Sequence, residues 1–161
     1  MINEFQGENR FLSNFFPAHV EILGLHFNQV EAAYQAGKAV VCSNRNALIE
    51  ILETGPDQAG RAKRIGRKIK MSRYELNKWD VLKVSWMTGV VQAKFRQNPE
   101  LGERLLATRP KLLVEGNLWG DTFWGIDLAT GRGENNLGKI LTLTRDFLVF
   151  EGSLKELMRM K

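Results

Sequence analysis

The feature that most constrains this chain is a long amphipathic stretch at 74–97. Trp79, Leu82, Trp86, Val90 and Ala93 recur there at steps of three and four residues, the spacing of a helix with one face in a core. Shorter helical segments surround it. Residues 29–41 carry Val30, Ala33, Tyr34 and Val41 on helical spacing, with Asn28 as an N-cap and Glu31 as its capping-box partner. A second helix is predicted over 46–53, stopped by Gly55-Pro56, and a third begins near Asp57 with Gly66 inside it or at its end. Pro99 opens a short helix through Ala107, and the last helix is predicted at about 136–148. Strand signals are few: an alternating stretch at 18–27 around Gly24, read as a hairpin, and a short strand at 111–115. The pattern predicts an α+β fold: a single, mostly helical domain over residues 1–161 with a small β component.

A chain of 161 residues fits one domain and can bury a real core. No apolar run approaches the roughly 18 residues of a membrane span, and MINEFQGENR lacks the basic and apolar regions of a signal peptide. Cys42 is the only cysteine, so no internal disulfide can form, which suits a reducing compartment. His19 and His26 have no third ligand of zinc type beside them in the sequence. The expectation is a soluble cytoplasmic protein with no metal, no cofactor and no membrane partner.

Charge is more informative. The net charge is +5, and RAKRIGRKIKMSR at 61–73 holds seven basic residues and no acid. The rest of the chain is therefore about −2, so the whole excess sits in one stretch. Focused positive charge raises the local concentration of an anionic ligand, although the same run could be a solvated helix face.

Three constellations could carry chemistry. On a helix at 29–41, Glu31 and Lys38 lie roughly 20° apart and Gln35 about 40° away, a column of carboxylate, amide and amine. The bland alternative is a surface ion pair worth under about 1 kcal/mol. In FLSNFF at 11–16, Ser13 and Asn14 sit beside Phe15, a combination that can stack a planar ring and bond its edge, or simply close a loop. In WGDTFWGIDLATGRGENNLGK at 119–139, glycines including Gly125 allow close backbone approach. Trp119 and Trp124 offer faces, while Asp121, Asp127, Asn135 and Asn136 offer polar contacts. Asn135 or Asn136 would cap the last helix, whose N-terminus could hold an anion.

Taken in order, these segments resemble the YbiA-like, or NADAR (NAD and ADP-ribose), family. The matching pieces are FLSNFFP at 11–17, VEAAYQAGKA at 30–39, AKRIGR at 62–67, KW at 78–79, AKF at 93–95, LLVE at 112–115 and FWGIDLATGRGENNLGKIL at 123–141. Members often carry histidine after the motif glutamate, where this chain has Ala32. The resemblance implies a mostly helical α+β fold and metal-free hydrolysis of a bond between ribose and a base nitrogen. Two substrate classes are associated with relatives: ADP-ribose attached to guanine in nucleic acid, and phosphorylated ribosylamino-pyrimidine intermediates of riboflavin synthesis. It also implies site residues. Glu31 would stabilise oxocarbenium character and handle protons, with Asp127 as a further catalytic residue. Lys38 would contact a ribose hydroxyl or phosphate, or attack C1 as a neutral amine. Phe15 and Trp124 would stack the base, and Arg64, Arg67 and Lys68 would grip phosphate. Ser13, Asn14, Gln35, Trp119, Gly125 and Asn136 complete the expected binding set. The rival readings are a non-catalytic module binding ADP-ribose or NAD, and a nucleic-acid binder using 61–73 alone.

Overall fold

The computed structural model describes residues 1–160, which fall into two compact units. One comprises Asn14–Asn98; the other comprises Met1–Ser13 together with the chain from Pro99 onward. Each is taken on its own.

The Asn14–Asn98 unit begins with strands β1 (Val20–Ile22) and β2 (Leu25–Phe27), paired antiparallel with Val20 opposite Phe27. Leu23 and Gly24 close the hairpin with φ of 52° and 77°, the left-handed pair that a two-residue turn requires. Four helices follow: α1 (Val30–Val41), α2 (Arg45–Leu52), α3 (Ala59–Lys68) and α4 (Arg73–Gln97). Helix α1 is the centre of this unit and packs against α2, α3 and α4. Its small residues make that possible. A methyl added to Gly37 would lie 2.6 Å from the Trp86 indole nitrogen, which instead donates to the Ala33 carbonyl at 2.9 Å.

Two expectations are corrected here. Helix α1 has no capping box at Asn28: its N-cap is Gln29, without a side-chain cap bond, and the Asn28 amide donates to Thr54 O. The true capping box belongs to α4, where Ser72 Oγ accepts from Glu75 N–H and the Glu75 carboxylate accepts from Ser72 N–H. The buried face of α4 also differs from the sequence pattern. It is formed by Trp79, Met87, Val90, Val91, Lys94 and Phe95, while Leu82 is 42% exposed. Leu82 lies roughly 130° around the helix from the centre of that stripe. A lysine in the core obscured the period: the Lys94 amine sits 5.6 Å from the Phe16 ring centre and 5.0 Å from that of Phe95.

The other unit holds a short 3-10 helix (Gly7–Leu12), α5 (Pro99–Ala107), strands β3 (Gly116–Asn117) and β4 (Ile126–Asp127), and α6 (Asn136–Arg159). Helix α5 packs on α6, and β3 pairs parallel with β4. The strand expected at 111–115 is absent; Leu113 makes only an isolated bridge to Ile2. Helix α6 runs eleven residues beyond the expected end at 148. The fold is thus mostly helical with two small sheets, an α+β architecture. Among the described residues no helix is long and apolar enough to cross a membrane, and no group of three or more His, Cys, Asp or Glu could hold a metal ion.

Candidate active site

The Glu31 carboxylate is enclosed by the helix that carries it. Every residue of α1 from Val30 to Gly37 is buried, because the helix is wrapped by three neighbours, and Glu31 itself is 6% exposed. Its backbone N–H donates to the Asn14 carbonyl at 3.0 Å, so the FLSNFF segment caps the first turn with a main-chain oxygen. The side chain is thereby released from the capping role expected for it. One turn on, Gln35 Nε2 donates to Glu31 Oε1 at 2.7 Å. Gln35 can lie there only because position 66 is glycine: a methyl on Gly66 would fall 1.9 Å from Gln35 Oε1 and 2.5 Å from its Cδ.

Burial pushes the Glu31 carboxyl above the usual carboxylate range, opposed by the Gln35 hydrogen bond and by the charges of Lys63, Lys38 and Arg67. Burial likewise pulls Lys38 below the ordinary lysine range. Glu31 opposes that change, while Arg67, Lys63 and Lys83 reinforce it. The Lys38 amine lies 5.7 Å from the Tyr34 ring centre, and Tyr34 in turn packs on Trp79 with centroids 5.1 Å apart. The expected column of Glu31, Gln35 and Lys38 is therefore a half-enclosed group whose acid and amine are moved toward each other in proton affinity. Such convergence is what acid–base chemistry near neutral pH needs.

Helix α3 supplies the cations, but only from one side. Ala59, Ala62 and Gly66 are its buried ridge, and Lys63 and Arg67, four residues apart, flank that ridge toward Glu31. Lys63 also sits 5.6 Å from the ring centre of Phe15, which is 37% exposed. Arg64 and Lys68 lie further round α3; they are exposed, as Arg67 is, while Lys63 is half-buried. Of the three expected phosphate residues only Arg67 acts on the carboxylate, and Lys63 was missed. Its signal was present in the sequence: small residues at 59, 62 and 66 mark the packed face, and 63 and 67 lie together beside it.

The remaining expected residues lie in the other unit, except Asn14, whose amide donates to Met87 Sδ at 3.7 Å. Ser13 ends the 3-10 helix, with its N–H on Arg10 O. The glycine-rich segment is held largely by its own bonds. Asp121 Oδ1 accepts from the N–H groups of Phe123 and Trp124. Trp124 meets Phe123 edge-on with centroids 4.8 Å apart, whereas Trp119 is 65% exposed. Gly125 approaches its own chain, since a methyl there would fall 2.1 Å from Glu115 O. Asp127 shapes a turn: Oδ1 accepts from Ala129 N–H and Oδ2 from the Thr130 hydroxyl. Neither asparagine caps α6 through its side chain. Asn135 bonds Glu115 N–H and Leu113 O, and the Asn136 amide donates to Phe123 O. The expected anion site at that terminus is also corrected, because the N–H groups of Asn136 and Leu137 donate to the carbonyls of Phe123 and Trp124.

Residues 3–149 match the NADAR domain family. The chain is 39% identical over 139 residues to the N-glycosidase YbiA of Shigella flexneri, covering 86% of this chain and 81% of that protein. It is 35% identical over 136 residues to an N-glycosidase of Nostoc punctiforme, covering 83% and 82% respectively. A riboflavin biosynthesis protein of Vibrio vulnificus is 32% identical over 138 residues; this chain spans 86% of its own length there but only 35% of that protein. The NMR structure of Escherichia coli YbiA superposes with a TM-score of 0.77 at 30% identity, over 94% of this chain and 89% of that one. The family match runs through both compact units and includes the Glu31 column, the α3 cations and the glycine-rich segment, and on that basis the chain belongs to the YbiA-like NADAR domain family.

Proposed function

We propose that this chain, an N-glycosidase by family, removes ADP-ribose from guanine in nucleic acid, with Glu31 and Lys38 at the reacting carbon. The observation that carries the reading is the buried Glu31 carboxylate, held by Gln35 and faced by Lys38, Lys63 and Arg67. Cleavage of a ribosyl–base bond builds positive charge at C1 and negative charge on the leaving nitrogen. A carboxyl whose proton affinity is raised can protonate that nitrogen, and the carboxylate left behind stabilises the cationic sugar. Lys63 and Arg67 are placed to hold a phosphate near the ribose, and Phe15 to stack the base. Arg64 and Lys68, turned outward, would follow a polynucleotide backbone. We read residues 1–161 as one NADAR domain, active in the cytoplasm, with no cofactor.

Lys38 has two roles open to it. In direct hydrolysis it positions a ribose hydroxyl while water attacks C1. In the covalent route its neutral amine forms the Nζ–C1 bond as the C1–base bond breaks and Glu31 protonates the base. The C1–O4′ bond then opens to an imine, which water hydrolyses to release the sugar and the lysine. A second substrate reading, phosphorylated ribosylamino-pyrimidines, is favoured by the name of the Vibrio relative. The deciding experiment is mass spectrometry after incubation with an ADP-ribosylated guanine oligonucleotide and with a phosphorylated ribosylamino-pyrimidine, each alongside Glu31→Gln. Release of ADP-ribose from the oligonucleotide by the parent enzyme alone is expected. Turnover of the pyrimidine only would transfer the reading to the second substrate, and full activity of Glu31→Gln would remove Glu31 from the chemistry.

A further inference from the structure

Helix α6 carries an apolar seam that runs from a buried start to a largely exposed second half. Ile140, Leu143, Phe147, Phe150, Leu154 and Leu157 follow one another at alternating steps of three and four residues, the a/d spacing of a coiled-coil heptad. Burial along the helix stops early. Leu137, Gly138, Ile140, Leu141, Thr144 and Arg145 are buried, and from Asp146 to Arg159 no residue is. This stretch without a buried residue is fourteen residues long, near the length at which a lone helix in water is marginal. Along it Leu143, Phe147, Phe150, Leu154 and Leu157 are 46%, 42%, 62%, 49% and 65% exposed. Phe147 and Phe150 touch, with centroids 6.3 Å apart, so the seam is continuous across its middle. The family match ends at residue 149, which puts Phe150, Leu154 and Leu157 beyond it.

We propose that this half of α6 pairs antiparallel with α6 of a second copy of the chain. Two features point to self-pairing. The first is area. At about 200 Å² for a whole large apolar side chain, the five seam residues expose on the order of 500 Å² per copy. Two copies then bring together roughly 1,000 Å² of apolar surface, the size at which specific interfaces begin. The second is self-complementarity. One antiparallel register sets Phe147 against Phe150 of the second copy and Leu143 against Leu154, with Leu157 at the outer end of the seam. Each layer occurs twice about a single two-fold axis, as an isologous interface requires. In that register Asp146 falls beside Ser153 of the second copy, so no acid is brought against this acid. The pairing is independent of the catalytic reading, since none of the seam residues belongs to the Glu31 site.

The test is the mass of the full chain in solution, by light scattering or sedimentation, from micromolar to hundred-micromolar concentration. The parent should reach twice the chain mass. Phe150→Glu combined with Leu154→Glu should remain at the single-chain mass with unchanged turnover and an unchanged circular dichroism spectrum. A parent that stays monomeric throughout, or a dimer that survives the double substitution, overturns the proposal. The register has its own readout in a Cys42→Ser background. Leu143→Cys with Leu154→Cys should give a covalent dimer on mild oxidation, and either substitution alone should give little. Equal cross-linking by the single variants would overturn the antiparallel arrangement.

Discussion

At the scale of one residue, Glu31 connects activity to stability. Its carboxyl binds a proton more tightly in the folded chain than in the unfolded one, because burial penalises the charged form. Between the unfolded and folded pKa values the native state therefore holds more protons, and stability falls as pH rises through that window. Glu31→Gln removes the penalty and keeps the shape. The variant should melt above the parent at pH 8, with the difference shrinking toward pH 4.5, while turnover drops about 10²- to 10⁴-fold. An equal Tm difference at both pH values would mean that Glu31 is not held as a costly buried charge. Lys38 has its own discriminating measurement. In the covalent route Lys38→Ala abolishes turnover, and borohydride added during a single turnover of the parent leaves a reduced adduct on Lys38. In direct hydrolysis no adduct forms, and Lys38→Ala retains activity reduced by roughly ten- to a few-hundred-fold. The column itself was legible because helical periodicity alone aligns 31, 35 and 38. Burial was not: Glu31 looked like a first-turn capping acid until Asn14, far from it in sequence pattern, supplied the capping carbonyl.

At the scale of elements, the site depends on how closely α3 approaches α1. Gly66 and Gln35 form that contact, so Gly66→Ala should push the amide away from Glu31 and cost about 1–3 kcal/mol of stability through overpacking. Activity should fall with it. Gln35→Ala clears the space, so the Gly66→Ala, Gln35→Ala pair should recover most of that stability without recovering activity, a large coupling between the two positions. Additive losses in the double variant would show that the two helices are not set by this contact. What the sequence disclosed about elements followed the same logic of proximity. The hairpin and α5 follow local turn and proline signals and lie where those signals predict, and α3 begins two residues after the expected Asp57. The face of α4 and the missing strand at 111–115 depend on distant partners. Lys94 among phenylalanines, and Leu113 bridged only to Ile2, are settled by tertiary contacts that periodicity does not record. Lys63 falls between these cases, since it could have been found by placing the small residues of α3 on a helical wheel.

At the scale of the whole molecule, the excess behind the +5 net charge lies in the 61–73 run, which α3 turns to more than one side. The charges of Lys63 and Arg67 act on Glu31, whereas Arg64 and Lys68, exposed like Arg67, lie further round α3. A small phosphorylated substrate needs only the first pair. A polynucleotide also places phosphates along the second, and each phosphate neutralised releases condensed counterions, so affinity falls with salt in proportion to the contacts made. Arg64→Ala with Lys68→Ala should therefore leave KM for an ADP-ribosylated mononucleoside nearly unchanged. For the ADP-ribosylated oligonucleotide it should raise KM at low salt and flatten the dependence of log KM on log salt by about one to two. Lys63→Ala or Arg67→Ala should instead raise KM for both substrates, because both carry the phosphate next to the ribose. The measurement is KM for each substrate across a salt series in parent and variants. If the oligonucleotide and the mononucleoside show the same slope in the parent, the exposed cations do not follow a polymer. The preference for a nucleic-acid substrate would then fall, while the Glu31 chemistry would stand on its own test.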